Sequence, residues 1–531
     1  GHVLDLTSQT WRPDDVEGTG KWDHWLVIIE PPVVSHDTAL LFIDGGNTFD
    51  SAPSSIIGEG LLEGLAGISL LTQSITAVIE QTPNQPLQFE GEPLPKSEDE
   101  IIAYTFRQFL DSYNANPAAP DNEWPVLFPM TKAAVRAMDV IQEFLGERDV
   151  DPIEVEDFIV SGASKRGWTT WLTAAADSRV SAIAPIVIDF LNYVPQIQHG
   201  FDVYGFIPEA VFDYAEAGIF FVDDQGELVN NFATPAGAAL RNLVDPFEYR
   251  DRFESVPKLL INASGDQFFS PDSAQFYFDQ LPGEKYLSYI PNSGHGVSAE
   301  AVGEVLVPWY MAKLRHLDLP AVEWEYTAQN RVVVRPEITP SAARLWTARS
   351  SARDFRLDDD VNLGTLTPWQ SISIGPNGDG DVIGFIGNVA TQWSGFFVQL
   401  EFPNPVNELL GEDETPAPPL LISTEIRITP DTNPVRDLDG PTASFDILGA
   451  PISAGDPVGF TDTSEAGTDP IVSPIIRWIW DFDDGSAITE DNFTAETQHT
   501  FAQAGQYDVS LTVKTVHGES TATTRVNVSA K

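Results

Sequence analysis

Cysteine is absent from this sequence of 531 residues, and lysine is scarce, with 9 lysines against 20 arginines. The absence of cysteine excludes disulfides, a thiol nucleophile and cysteine-based metal sites. No uninterrupted apolar run approaches the roughly 18 residues that a membrane-spanning helix requires, so no membrane span is expected. The sequence also begins without methionine and without a recognisable signal peptide, which we interpret as a chain trimmed of its targeting signal.

Basic residues are far outnumbered by acidic ones, 29 against 79, which gives a formal net charge of −50. Such a surface repels nucleic acid and anionic membranes, so neither is an expected partner. The acidic residues are scattered along the chain, as in a halophilic protein whose self-repulsion is screened by salt, or as in an ordinary acidic secreted enzyme. The composition leaves both alternatives open, and it does not reveal the oligomeric state.

Strand-like and helix-like segments alternate up to about residue 318, which favours a parallel sheet covered by helices. Within this region, residues 190–254 are too long and too mixed for a simple crossover, and we interpret them as a helical lid inserted over the site. After residue 318 short alternating segments predict a β-sandwich over 319–428, a Pro- and Asp-rich linker over 429–440 and a second all-β unit over 441–531. The predicted fold class is therefore α/β over 1–318, followed by two Ig-like sandwiches.

A serine lies at a predicted sharp turn between a strand and a helix. Residues 157–168 read Asp-Phe-Ile-Val-Ser-Gly-Ala-Ser-Lys-Arg-Gly-Trp, so Ser164 follows a run of β-formers and precedes helix-compatible sequence. A strand, a turn and a helix in this order expose the hydroxyl and direct the helix N-terminus at the bound substrate. We therefore expect Ser164 to be a nucleophile, which needs a neighbouring base and donors for an oxyanion.

Two further residues at predicted strand ends complete a candidate triad. Asp266 ends one strand, and His295 follows the last strand in the run Pro-Asn-Ser-Gly-His-Gly, residues 291–296. The chain order Ser164, Asp266, His295 is the one expected for an α/β-hydrolase, in which histidine takes the serine proton and the carboxylate orients the histidine. Asp272 and His199 are the alternative acid and base, although Asp272 is also explained as a carboxylate at a helix N-terminus.

Backbone N–H groups near Ser164 form the candidate oxyanion hole. One belongs to Lys165, and the others to Gly46 and Asn47 in the glycine turn after an early strand. Arg166 departs from the usual G-x-S-x-G pattern, because the second glycine, Gly167, comes one position later. Arg166 and Lys165 make a basic pair that either pairs with a buried carboxylate or binds an oxyanion or anionic acyl group.

Aromatic side chains near these loops are candidates for an acyl or aromatic pocket, or for the core. Together with Arg166, we expect three of them to contact substrate: Trp168, Phe268 and Phe269. No cofactor is expected. Two acidic runs, 357–360 and 377–381, have oxygen ligands at spacings that could hold Ca²⁺, although turns rich in Asp and Gly are common without a metal.

Several of these motifs resemble the PhoPQ-activated pathogenicity-related family, a set of predicted secreted α/β-hydrolases. The resemblance covers about residues 1–425 and rests on these segments: the elbow at 162–168, Thr-Pro-Asn-Gln-Pro at 82–86, Trp-Pro-Val-Leu-Phe-Pro at 124–129, residues 261–282, Ala-Arg-Leu-Trp-Thr-Ala at 343–348 and Arg-Asp-Phe-Arg at 353–356. The elbow is also similar to the G-C-S-R-x-G motif of glucuronoyl esterases. That similarity implies that Lys165 helps to hold the oxyanion.

The C-terminal unit resembles a PKD domain, an Ig-like sandwich. Residues 480–485, Trp-Asp-Phe-Asp-Asp-Gly, differ by one residue from the W-D-F-G-D-G motif, and His-Thr-Phe-Ala-Gln-Ala-Gly-Gln-Tyr follows at 499–507. Such domains usually occur in extracellular or surface proteins and often accompany enzymes that act on polymers. The resemblance therefore implies export.

These features together predict a secreted or surface-bound serine hydrolase that cleaves carboxylic esters through an acyl-enzyme. Small-molecule, polymeric and acidic esters are all candidate substrates. A serine peptidase or amidase is the first alternative, since the same elbow chemistry serves both ester and amide cleavage. The second is a hydrolase fold without catalysis that serves adhesion or polymer binding.

Overall fold

A mostly parallel sheet organises the N-terminal part of the chain in this computed structural model. The structure describes all residues except 19, 54–59, 329, 358–365, 388–391, 411–415, 435–439, 450, 467–474, 476, 487, 492–495 and 516–517. The strands of this part, including a separate hairpin of β7 and β8, are β1 (His2–Thr10), β2 (Lys21–Ile29), β3 (Thr38–Ile43), β4 (Thr76–Ile79), β5 (Asp157–Ala163), β6 (Val180–Ile186), β7 (Phe220–Val222), β8 (Leu228–Asn230), β9 (Lys258–Ala263) and β10 (Lys285–Ile290).

The main sheet has the strand order β1-β2-β4-β3-β5-β6-β9-β10. The pairs β1–β2 and β2–β4 are antiparallel, and the other neighbours are parallel. β4 and β9 are buried along their whole length, which suits parallel strands with both faces covered. This order is that of the α/β-hydrolase fold, so the predicted fold class is confirmed. It also brings the carboxyl ends of β3, β5, β9 and β10 to one edge of the sheet.

The helices are α1 (Gly60–Thr72), α2 (Glu98–Ala115), α3 (Leu127–Gly146), α4 (Lys165–Ala176), α5 (Tyr193–Tyr204), α6 (Phe212–Glu216), α7 (Pro235–Val244) and α8 (Ala299–Lys313). Short 3₁₀ segments lie at Glu209–Val211, Asn231–Ala233, Pro246–Phe253, Ser273–Phe276, Phe278–Gln280 and Pro405–Glu408. α4 packs on β5 and β6, α3 packs on α4, and α1 packs on α8. No helix in the described part of the chain is both long and apolar enough to cross a membrane.

The segment predicted as a helical lid, 190–254, contains α5, α6, α7 and 3₁₀ turns, and also the β7–β8 hairpin, which the sequence did not predict. α6 and α7 pack against α2, while residues 246–253 pack against α4. α5 belongs to a different compact unit. The chain divides into one unit of residues 1–191, 206–274 and 281–430 and another of residues 192–205, 275–280 and 431–531.

A β-sandwich completes the first unit. Its strands are β11 (Val322–Ala328), β12 (Arg331–Pro336), β13 (Ala342–Ser350), β14 (Gln370–Ile374), β15 (Val382–Phe385), β16 (Trp393–Phe402), β17 (Leu420–Ser423) and β18 (Arg427–Thr429). One sheet has the order β11-β12-β15, and the other has β14-β13-β16-β17, with β18 also on β16. Trp309 of α8 shares one apolar core with Val332 and Phe396 of the sandwich. The predicted boundary at 318 therefore marks a change of elements inside a continuous core.

The second unit contains the C-terminal sandwich. Its strands are β19 (Phe445–Leu448), β20 (Ile452–Ser453), β21 (Pro457–Asp462), β22 (Arg477–Asp481), β23 (Thr489–Asp491), β24 (Glu496–Thr500), β25 (Gly505–Thr515) and β26 (Gly518–Ser529). They form sheets of order β19-β21-β24 and β20-β26-β25-β22-β23. Trp480 of the Trp-Asp-Phe motif is fully buried beside Phe460 and Phe501, which agrees with the predicted Ig-like class.

Candidate active site

Ser164 lies at a strained turn between β5 and α4. Its φ is 57° and its ψ is −127°, a conformation that a serine adopts only where the surrounding structure holds it. Its backbone N–H donates to the carbonyl of Ile186 at 2.8 Å. A Cβ atom on Gly162 would lie 2.8 Å from the Arg166 carbonyl oxygen, and one on Gly167 would lie 2.9 Å from that of Gly162. Both glycines are therefore needed for the tight turn, although Gly167 stands one position later than in G-x-S-x-G.

The sheet edge brings Ser164, His295 and Asp266 into one hydrogen-bonded line. Ser164 Oγ lies 2.8 Å from His295 Nε2, and His295 Nδ1 lies 2.8 Å from Asp266 Oδ2. Asp266 is almost fully buried, with 4% of its side chain exposed. Its Oδ1 also accepts the backbone N–H of Phe268 at 2.8 Å. With Nδ1 protonated toward Asp266, Nε2 is left to accept the serine hydroxyl, which is the arrangement of a serine nucleophile with an oriented base.

Two phenylalanines lie against the imidazole. The ring of Phe268 is centred 4.2 Å from that of His295, and the ring of Phe269 is centred 6.1 Å from it. Phe269 also stacks on Phe190 at 5.4 Å. All three phenylalanines are partly exposed. They form an aromatic wall beside the His295 ring.

The basic pair beside Ser164 is engaged by carboxylates at the start of α2. Arg166 donates from Nη1 and Nη2 to the two carboxylate oxygens of Glu98, both at 2.8 Å. Lys165 Nζ lies 2.8 Å from Glu98 and 3.0 Å from Asp99, and Tyr214 donates its hydroxyl to Asp99 at 2.9 Å. Arg166 thus pairs with a carboxylate, as one alternative predicted, although that alternative placed the carboxylate in the interior and Glu98 is 43% exposed. Because the two cations meet two carboxylates, their charges cancel within the network.

Glu98 stays ionised in this network. Partial burial opposes ionisation, but the hydrogen bonds and charge of Arg166, with those of Lys165, lower the pKa of Glu98 to about 2. The cations themselves are nearly buried, with 8% of the Lys165 side chain and 11% of the Arg166 side chain exposed, while Glu98 is 43% exposed. Glu98 is therefore the solvent-accessible member of this network, while the two cations that it pairs with are nearly buried.

Arg166 also contacts the loop that carries the candidate oxyanion donors. Its Nε donates to the Thr82 carbonyl at 2.6 Å, and a Cβ on Gly45 would lie 2.6 Å from its guanidinium. Lys165 is the first residue of α4, so its backbone N–H has no acceptor within the helix and remains available at the helix N-terminus. Gly46 has a φ of 118°, which suits glycine alone. These contacts hold the Gly45–Gly46 turn beside the start of α4.

Asn47 does not offer its backbone N–H to an oxyanion in this structure. That group donates to Asp50 Oδ2 at 2.6 Å, and the Asn47 carbonyl accepts from Gln81 at 3.0 Å. Gly46 is therefore the better candidate for the second donor. The sequence did not indicate that the Asn47 N–H is already engaged, because its acceptor, Asp50, reaches this N–H only in the folded turn.

Other predicted residues lie elsewhere. Trp168 is buried, and its indole N–H donates to the Val244 carbonyl at 2.6 Å, so the structure places it in the core behind the elbow. The alternative acid, Asp272, pairs with Arg353 at 3.0 Å and accepts from Ser270 at 2.5 Å. The alternative base, His199, lies on α5, where its ring packs 4.9 Å from that of Phe276. Neither alternative is needed to complete the line at Ser164.

Three residues at the site were not predicted from the sequence: Glu98, Asp99 and Gln267. Glu98 and Asp99 belong to an acidic first turn of α2, which is the usual composition of a helix N-terminus. Among 79 acidic residues, these two carry no signal that separates them from the others. Gln267, whose side-chain oxygen accepts the His295 backbone N–H at 2.8 Å, follows Asp266 directly, and that adjacency was the only available signal.

Only one of the two acidic runs proposed for Ca²⁺ lies wholly within the described part of the chain. Residues 358–360 lie outside the described part of the chain. In the other run, the side-chain oxygen of Asn377 accepts the backbone N–H groups of Asp379 and Asp381, at 2.8 and 3.0 Å. Among the residues that the structure describes, no group of three histidine, aspartate or glutamate side chains is arranged to hold a metal ion.

Comparisons with known proteins agree with two of the three resemblances, those to the PhoPQ-activated pathogenicity-related family and to the PKD domain, while the similarity of the elbow to glucuronoyl esterases stays a prediction. The family described as PhoPQ-activated pathogenicity-related protein matches residues 1–356, and the PKD domain family matches residues 443–528. Autocrine proliferation repressor protein A of Dictyostelium discoideum is 32% identical over 456 residues, covering 82% of this chain and 86% of the relative.

Solved structures with similarity to the chain include two hydrolases. Acetyl xylan esterase 1 from Thermoanaerobacterium sp. is 15% identical with a TM-score of 0.35, covering 59% of this chain and 87% of its own. The acylaminoacyl peptidase of Pyrococcus horikoshii is 11% identical with a TM-score of 0.35, covering 59% of this chain and 41% of its own.

Proposed function

The chain belongs to the PhoPQ-activated pathogenicity-related protein family, and from that membership and the site geometry we propose that it is a serine hydrolase that cleaves carboxylic esters. The observation that carries the proposal is the line from Ser164 Oγ to His295 Nε2 and from His295 Nδ1 to Asp266, with both distances at 2.8 Å. The strained turn at Ser164 supports it further, because strain of this kind clusters at functional sites.

In the proposed mechanism, Ser164 Oγ attacks the ester carbonyl carbon while His295 Nε2 accepts its proton. The tetrahedral oxyanion is held by the backbone N–H of Lys165 and that of Gly46. His295 then protonates the departing alcohol, which leaves an acyl group on Ser164. Water, deprotonated by His295, then attacks the acyl carbon, and His295 returns this proton to Ser164 Oγ as the bond to the acyl group breaks and the carboxylic acid leaves. Asp266 keeps the imidazole in the required tautomer throughout.

The basic pair gives no support for acidic esters as the preferred substrates. Both cations are already paired with Glu98 and Asp99, so an anionic acyl group would have to displace a carboxylate or meet its charge. The aromatic wall of Phe268, Phe269 and Phe190 beside His295 fits an apolar or ring-shaped alcohol part instead. We therefore propose neutral esters as the substrate class.

A fluorophosphonate probe tests the proposed chemistry, because it phosphonylates only a serine that is activated as a nucleophile. We expect the wild-type protein to be labelled and the Ser164→Ala variant to be unlabelled. Ser161→Ala is the matched control, since Ser161 lies three residues earlier on β5 and its hydroxyl donates to the Ala184 carbonyl. Absence of labelling in the wild type, or equal labelling of Ser164→Ala, contradicts the proposal. Matched nitrophenyl esters and nitroanilides then separate an esterase from a peptidase.

We also propose that the protein acts outside the cell, and the match of residues 443–528 to the PKD domain supports this. Fractionation of the cells that naturally produce the protein tests it. Recovery in the medium or on the surface is expected, and recovery only from the cell interior contradicts it.

A further inference from the structure

Gln267 joins three parts of the molecule that are distant in sequence. Its side-chain Oε1 accepts the backbone N–H of His295 at 2.8 Å, and its Nε2 donates to the carbonyl of Leu357 at 2.5 Å. Gln267 itself follows Asp266, and Leu357 lies in the connection between β13 and β14 of the first β-sandwich. One amide thus connects the loop of the acid, the loop of the base and the sandwich.

The partners of Gln267 determine which way its amide points. The His295 N–H needs an acceptor and the Leu357 carbonyl needs a donor, so a flipped Gln267 amide would lose both bonds. Leu357 makes a second contact with the acid loop, since its backbone N–H donates to the Gly265 carbonyl at 2.8 Å. The amide is therefore held in one orientation from both ends.

Two glycines make room for this arrangement. A Cβ on Gly294, beside His295, would lie 2.8 Å from the Nε2 atom of Gln267. A Cβ on Gly265, beside Asp266, would lie 2.5 Å from the Cγ atom of Leu357. Each triad loop thus carries a glycine at the point where Gln267 or Leu357 packs against it, which explains why these positions have no side chain.

The sandwich holds the histidine loop at a second point. Asn292 donates from its side chain to the Trp369 carbonyl at 2.9 Å, and its side-chain oxygen accepts the Trp369 backbone N–H at 2.6 Å. Asn292 has a φ of 55° and precedes His295 by three residues. Both triad loops that follow β9 and β10 are therefore attached to the same sandwich.

We propose that Gln267 is a positioning residue for the Asp266–His295 pair and that the sandwich of strands β11–β18 holds the loops of the active site in place. Gln267 sets the height of the His295 backbone above Asp266, and Leu357 and Trp369 anchor the two loops. This inference rests on the proposed serine-hydrolase function. A displacement of about 1 Å at a reacting group is enough to lower turnover about 10²-fold.

The test compares Gln267→Ala with wild type on one neutral nitrophenyl ester. We expect kcat to fall about 10²-fold while KM changes less than about twofold, because Gln267 orients the base without binding substrate. Labelling by the fluorophosphonate should slow in parallel. Gln267→Glu should rescue little, because its carboxylate accepts the His295 N–H but cannot donate to Leu357. Asn292→Gly, which tolerates the positive φ, should lower kcat by a smaller factor.

Gln399→Ala is the matched control. Gln399 lies in the same sandwich and accepts the Trp346 indole N–H at 3.1 Å, so its loss reports general loosening of the sandwich. The proposal is overturned if Gln267→Ala retains wild-type kcat, or if Gln399→Ala lowers kcat as much. If the wild type neither reacts with the probe nor cleaves esters, the proposed function itself fails. That outcome differs from an active Gln267→Ala.

Discussion

The two sides of Ser164 are held in place by different forces. On the side of the candidate oxyanion donors, called the oxyanion side, Arg166 and Lys165 are fixed by charged contacts to Glu98 and Asp99, and Glu98 is 43% exposed. On the histidine side, the loops are fixed by neutral amide hydrogen bonds from Gln267 and Asn292 to the backbone of the sandwich.

This difference predicts different sensitivities. Contacts between charges that reach solvent weaken as salt screens them and as acid neutralises the carboxylate. Neutral hydrogen bonds respond to neither, and breaking one leaves a partly buried polar group without that partner. We therefore expect salt and pH to loosen the oxyanion side first, while the histidine side depends on the packing of the sandwich.

The largest expected effect is a loss of stability that tests whether the histidine side also depends on a charge pair. Arg353 pairs with Asp272, six residues after Asp266, at 3.0 Å, and both side chains are 2% exposed. Arg353→Met should cost about 3–5 kcal/mol in the free energy of unfolding, because it removes the cation that faces the buried carboxylate of Asp272. Urea unfolding measures this cost.

The double variant Arg353→Met, Asp272→Asn is the control and should recover part of the loss. A cost below about 1 kcal/mol for Arg353→Met would mean that this buried pair adds no more than an exposed one. The two sides would then differ more sharply, because the histidine side would depend on no strong charge pair.

The second-largest expected effect is a loss of stability in acid that comes from neither side of Ser164. It must be measured before acid is used to compare the two sides. His24 is buried on β2 between Ser8 and the Glu80 carbonyl, and burial lowers its pKa to about 4. Since the unfolded chain binds this proton at a higher pH than the native state, stability is lost as pH falls from about 6.5 toward 4, by about 3 kcal/mol.

Unfolding of wild type and His24→Gln at pH 7, 5 and 4 measures this term. The variant should lose less stability than wild type over that range. Parallel loss in both proteins would show that His24 does not cause it.

The third effect is on the oxyanion side itself. Glu98→Gln should cost about 1–2 kcal/mol at pH 7, less than a fully buried pair, because Asp99 still faces Lys165 and water reaches Glu98. The pKa of Glu98 is lowered to about 2. Its contribution is therefore complete above about pH 4.5 and is lost as pH falls toward 2.

The difference in unfolding free energy between wild type and Glu98→Gln should accordingly shrink in acid. It should also shrink in about 1 M salt, because the salt screens charges that reach solvent. Gln267→Ala provides the comparison, since the factor by which it lowers turnover should not change with salt. If salt reduced this factor as strongly as it reduces the stability difference of Glu98→Gln, the distinction between the two sides would be lost.

The smallest effect concerns Trp168, which follows the basic pair and lies on neither side of Ser164. Trp168→Phe removes the hydrogen bond to Val244 and should cost about 1 kcal/mol. Because the side chain is buried behind the elbow, KM for a neutral ester should stay within about twofold, as for any change that leaves substrate binding intact. A large rise in KM would instead support the predicted contact with substrate.

The family, the fold class and the C-terminal PKD domain were all predictable from local motifs, and they are confirmed. The catalytic assignment of Ser164, Asp266 and His295 stays a prediction, although the structure brings the three into hydrogen-bond distance. The β7–β8 hairpin was not predictable, because each of its strands has only three residues. Segments this short carry too little periodicity to separate a strand from a loop.

By itself the sequence determined the elbow and the chain order of the three candidate triad residues. Those depend on short-range requirements: β-formers before a turn, glycines inside it and loops at strand ends. Only the tertiary structure decided what the basic pair contacts and what holds the base, because the partners are far apart along the chain. Arg166 lies 68 residues from Glu98, and Gln267 lies 90 residues from Leu357. With many acidic residues and amides available, only packing selects which of them meet.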